Sequence, residues 1–170
     1  MWSIMIILLF VFTVGMTVGG LLAAPRIPPR PFQIMLVGIF FMFLAYIGMI
    51  LGMFLSGWFG FRFIEIMLSI LALLLIVAAI SRFHPTFGFF HRDDKIVLAI
   101  LGCLFLLMGF EWGILDWRAF FTLFAAAIFF LALFVGMYIQ QQVRATLWRY
   151  PYHAFTPLIW LLFVTILKLL

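Results

Sequence analysis

MWSIMIILLFVFTVGMTVGGLLAA, residues 1–24, carries no charged side chain. A helix that crosses a bilayer needs about 20 consecutive apolar residues, and this run supplies them. A secretory signal would instead show a basic first segment and a shorter apolar core of about 7–15 residues. Residues 1–24 have no such basic segment, and Pro25 stands where cleavage would have to occur. The stretch therefore reads as a retained transmembrane helix.

The rest of the chain repeats the pattern. Of the 170 residues, 69% are hydrophobic and 9% are charged, with a mean hydropathy of +1.36. Soluble domains are about 45–50% apolar and about 25% charged, so there are too few polar groups here to cover an apolar core in water. The composition predicts an all-α integral membrane protein, a single helical domain over residues 1–170 with short loops and no soluble domain. The formal net charge of +5 is scattered through short segments. It reads as a topology signal and a contact to anionic headgroups, with nothing pointing to nucleic acid. Cys103 is the lone cysteine. That excludes an intramolecular disulfide, a dithiol pair and a cysteine-rich metal site. Inside its apolar run Cys103 reads as a small packing residue.

Apolar runs predict helices at residues 2–24, 33–55, 63–80, 96–115, 120–140 and 155–170. The last is short, so six spans are expected, with five as the alternative. Four prolines in PRIPPRPF (residues 25–32) make the first connection a stiff extended loop. Basic residues set the orientation. The loops after helices 1, 3 and 5 hold Arg26, Arg30, Arg82, Arg92, Lys95, Arg144 and Arg149, against Arg62, Arg118 and Lys168 on the other side. The positive-inside rule places the richer side in the cytoplasm and the N-terminus outside, in a plasma or inner membrane. Six such helices would divide into two halves of opposite topology. The halves show no evident sequence echo, so an inverted repeat receives little weight at this level.

Small residues recur every four positions at Gly15, Gly19 and Ala23, at Gly48, Gly52, Ser56 and Gly60, and at Gly109 and Gly113. Residues four apart share a helix face, and small ones let two backbones approach closely. Helices 1 and 2 are joined by a short loop, which predicts an antiparallel pair meeting through their stripes.

Ionisable residues form two groups. Arg62, Glu65, Glu111, Asp116 and Arg118 fall toward the outer side, where Arg62 can pair with Glu65 along one helix face. Structural ion pairs are one reading. The other is an ion or solute path with Glu65 and Glu111 around a vestibule closed by Arg62 or Arg118. No charge is expected at the middle of any span. The second group is His84, His91, Asp93, Asp94 and His153 in the cytoplasmic connections, with enough nitrogen and oxygen ligands for a divalent metal. The simpler reading has Asp93 and Asp94 cap helix 4. Trp58, Trp112, Trp117 and Trp148 read as interfacial belt residues. No nucleophile elbow and no phosphate-binding loop is present, so a hydrolase or ATPase has no support and no cofactor is predicted.

These features favour a non-catalytic multi-pass protein, a subunit or accessory factor of a membrane complex. The lipid bilayer is its surroundings, and its partner is another membrane protein or a second copy. The alternative is a small transporter or channel for a cation or small solute using Glu65 and Glu111. A lipid-acting enzyme with the cytoplasmic His/Asp group ranks third.

Overall fold

The computed structural model describes residues 2–24, 31–57, 60–83, 89, 95–116, 119–146 and 154–169. It is all-helical, with no strand among the described residues: α1 (Trp2–Ala23), α2 (Pro31–Leu55), α3 (Phe61–Ser81), α4 (Lys95–Ile114), α5 (Ala119–Thr146) and α6 (Thr156–Leu169). Every predicted helix is present. α5 runs several residues past its apolar stretch, because QQVRAT has no helix breaker and its polar side chains suit an exposed helix end. Five helices are long and apolar enough to cross a membrane. α6 is not: its 14 residues give about 21 Å, short of a hydrocarbon core of about 30 Å.

The helices pair differently from the expectation. α1 does not pair principally with α2. It packs along α5, while α2 packs along α4. A Cβ added at Gly19 would collide with the Leu133 carbonyl of α5, and one at Gly48 with the Leu106 carbonyl of α4. The small stripes thus do bring backbones together, but with partners distant in sequence. The physical reason is that a short loop makes neighbours available without making them complementary. In apolar surroundings the closest backbone fit decides the pairing.

The contacts also give directions. Gly15 meets Phe129, Gly19 meets Leu133 and Gly136 meets Met16, so α1 and α5 run parallel. Gly109 meets Ala45 and Gly113 meets Met49, so α2 and α4 run parallel. Gly38 lies on Phe130, the Phe41 and Phe129 rings stack at 3.9 Å, and Thr122 reaches Met49, so α2 and α5 are antiparallel. Thr17 faces Pro157 while Phe10 faces Lys168, which makes α6 antiparallel to α1. Phe83 after α3 meets Phe155 before α6 at 5.0 Å, so α3 ends where α6 begins.

This arrangement is an inverted repeat. Exchanging α1 with α4, α2 with α5 and α3 with α6 turns the α1–α5 pair into α4–α2 and the α1–α6 pair into α4–α3. The α2–α5 and α3–α6 pairs map onto themselves. The match holds residue by residue. Gly15 on the Phe129 carbonyl corresponds to Gly109 on that of Ala45. Gly19 on Leu133 corresponds to Gly113 on Met49, and Gly136 on Met16 to Gly52 on Phe110. The two-fold axis lies across the helices, between antiparallel halves. The little weight given to this symmetry from sequence is therefore corrected: the echo is confined to a few small residues at backbone contacts, where shape is decisive. The main helix pairings join one half to the other, so the halves interlock.

Candidate functional site

The site begins at the small-residue motif of α4. Gly109 and Gly113 press α4 against α2, which turns the intervening Glu111 into the bundle. Glu111 is 1% exposed. From the last turn of α6, Lys168 Nζ donates to Glu111 Oε1 at 2.6 Å and to Oε2 at 2.8 Å. The ammonium also lies 4.9 Å from the centre of the Phe10 ring on α1. Both side chains are out of solvent. An unpaired charge there would cost several kcal/mol, so the two hydrogen bonds and the ring face hold each charge in place.

The repeat fixes the level of this pair. Phe10 and Glu111 flank one ammonium and sit at about the same height. Thr17 stands between Gly15 and Gly19 as Glu111 stands between Gly109 and Gly113, on the opposite side of the axis. The axis therefore crosses α1 between Phe10 and Thr17. The ion pair lies about one helical turn, about 5 Å, from the axis level. Glu111 stands three residues before the end of α4, and Lys168 lies in the last turn of α6. Thr17 fills its place with a neutral group, its hydroxyl 2.8 Å from the Thr13 carbonyl and 3.1 Å from that of Pro157 on α6.

The outer group of the sequence is only partly assembled. Glu65 on α3 is half-buried. Arg62 is exposed, and among the described residues no ion pair joins it to Glu65. Asp116 is exposed in the turn after α4, with φ 55°, and its N–H donates to the Gly113 carbonyl at 3.1 Å. It ends the helix rather than entering the bundle. Arg118 lies outside the described residues. So do His84, His91, Asp93, Asp94 and His153, the whole of the second group. From that connection Phe89 alone is described. It is fully buried, 4.8 Å from the Phe83 ring and 5.9 Å from that of Phe155.

Two other expectations are corrected. Trp112 is not at the rim. It is fully buried, edge-on to Phe41 and Phe121, and among the described residues its Nε1 has no hydrogen-bond partner. Residues next to Glu111 on this turn face the bundle, so the tryptophan goes inward with them. Trp58, Trp117 and Trp148 lie outside the described residues. Cys103 is exposed rather than packed.

Lys168 is the residue that sequence reasoning missed, having counted it only toward orientation. A signal was available. FVTILKLL places a lysine among apolar neighbours with no acid in its own helix, and such a group needs a buried partner.

No family model matches the sequence, no curated protein matches it, and no solved structure matches the fold.

Proposed function

We propose that this chain is a multi-pass membrane protein that moves a cation or small solute, with Glu111 and Lys168 as its working charges and Glu65 as a further acid on α3. One observation carries the reading: a solvent-excluded ion pair sits about one helical turn from the axis of an inverted repeat. Inverted repeats are a common transporter architecture, and their substrate and ion sites lie near the bilayer midplane between the repeats. A charge inside a bundle is costly and in membrane proteins marks a pathway or a relay. Glu111 could exchange the ammonium of Lys168 for a cation. The basic loops after α1, α3 and α5 face the cytoplasm in this reading.

Purified protein in liposomes tests it. Proton and metal-cation fluxes would be followed with entrapped indicators. The unmodified chain is expected to move one of them, and Glu111→Gln/Lys168→Gln to abolish the movement while keeping its elution profile and helicity. Unchanged flux in that variant would overturn the assignment.

The subunit reading has an observation of its own. Glycines hold the helices in backbone contact on both sides of the axis, which suits a rigid structural member. It calls for a stoichiometric partner on mild extraction, together with absence of flux in every ion tested.

A further inference from the structure

We infer that the cation moved is a proton, and that it reaches the Glu111–Lys168 pair along a seam of buried polar groups between α1 and α6. This rests on the transport reading and names its substrate. At the end of the seam away from the pair, Gln140 of α5 and Thr156 and Pro157 of α6 line a cavity of about 10 Å³. One water needs about 10–15 Å³. Gln140 is buried, although Gln141 and Gln142 after it are exposed. The Thr17 hydroxyl of α1 lies 3.1 Å from the Pro157 carbonyl. Thr13 stands one turn along the same face of α1 and is also buried. On α6, Pro157, Leu161, Thr165 and Lys168 share one face. Pro157 meets Thr17 and Lys168 meets Phe10, so the buried Thr165 between them also faces α1. From Pro157 to Lys168 the seam covers about 16 Å of helix.

A threonine inside a helix often bonds to its own backbone, and Thr13, Thr17 and Thr165 each do. That habit explains where each hydroxyl hydrogen goes, but not why three such residues gather on one interface. The repeat supplies a comparison. Gly15 matches Gly109, so Thr13 corresponds to Leu107. Gly136 matches Gly52, so the buried Gln140 corresponds to the exposed Ser56. The other half keeps the same helix contacts without these buried polar groups. Each threonine oxygen retains lone pairs that accept from water. Hydroxyls a turn apart, about 5.4 Å, are spanned by one water making two hydrogen bonds of about 2.8 Å. Such a chain carries protons. A divalent metal cation asks for about six oxygens around one point, whereas the seam offers one hydroxyl at a time.

At the pair, a proton passes from Lys168 Nζ to Glu111 Oε1 over 2.6 Å and leaves a neutral amine and a neutral acid. The amine takes a proton from the seam. The acid releases its own toward the turn after α4, where Asp116 is exposed, and both charges are restored. Among the described residues, Lys168 is the titratable group bonded to Glu111. α1 has none from Trp2 to Ala23, α2 has Tyr46, which is exposed, and α3 has half-buried Glu65 and exposed Arg62.

Liposomes carrying a pH dye and a valinomycin-set potassium potential read proton entry. The unmodified chain is expected to pass protons, more slowly in heavy water. Thr17→Val and Thr165→Val keep the side-chain shape and remove the hydroxyl. Each should lower proton flux about tenfold, equivalent to about 1.4 kcal/mol on the barrier, with elution and helicity unchanged. Thr165→Ser, which keeps the hydroxyl, should keep the flux, and so should Thr122→Val, away from the seam. Full proton flux in both valine variants of the seam would overturn the route. Equal loss in Thr165→Ser would mean packing and overturn it too. Flux of a metal cation or solute without protons would overturn the proton assignment and leave the transport reading standing. No flux of any kind from the unmodified chain would overturn both.

Discussion

Glu111 and Lys168 are the residues on which most depends. Removing one partner strands the other charge, so Lys168→Met should destabilise the bundle by about 3–5 kcal/mol. Replacing both with glutamine should cost far less than the sum of the single changes. Thermal unfolding in mild detergent, arranged as a double-mutant cycle, reads the difference; additive losses would mean that the two groups do not depend on each other. At the end of the same helix, Asp116 occupies the left-handed region, where a β-carbon is disfavoured. Asp116→Gly should raise stability by up to about 1 kcal/mol in the same assay. Glu111 was legible in the sequence as a carboxylate in an apolar helix, and Glu65 was grouped with it. Its partner was not legible, because a lysine near the end of a short helix also suits an exposed position.

At the scale of helices, two glycines of α4 should respond in opposite directions. Gly113 faces the α2 backbone, and Gly113→Ala should cost about 1–3 kcal/mol by overpacking. A β-carbon at Gly102 would make ordinary contacts with the Leu44 and Phe40 side chains, at 3.5 and 3.6 Å, and Gly102→Ala should instead gain up to about 1 kcal/mol of helix propensity. Detergent melts of the two variants decide it, and equal effects would remove the distinction between backbone and side-chain contact. All six helices were readable as apolar runs punctuated by proline, glycine or charge, and apart from the longer C-terminal end of α5 their limits differ little from those expected. Their partners were hidden for a physical reason. A helix that is apolar all round has no polar face to say which side turns inward. Gly15, Gly19, Gly48, Gly52, Gly109 and Gly113 lie on close-contact faces, whereas Ser56 and Gly60 of the same stripes are exposed, and every such stripe is compatible with every other.

For the whole molecule, the interlocking of the halves makes a distinct prediction. α1 to α3 have few contacts with one another and find their main partners in α4 to α6. A chain divided within residues 84–94 should therefore assemble when both pieces are made together and co-purify as a pair. Either piece made alone should aggregate or be degraded. Pull-down of one tagged piece by the other checks this, and two stable separate halves would contradict the interlocked arrangement. The sequence by itself determined the class of solvent the chain suits, the helices and the distribution of basic loops. These follow from local composition, since run length and charge act where they stand. Tertiary structure alone decided the α1–α5 and α2–α4 pairs, the inverted repeat, the inward turn of Trp112 and the union of Glu111 with Lys168. Those depend on how closely two backbones can approach and on which charges share one water-free space, and neither is a property of any single stretch of chain.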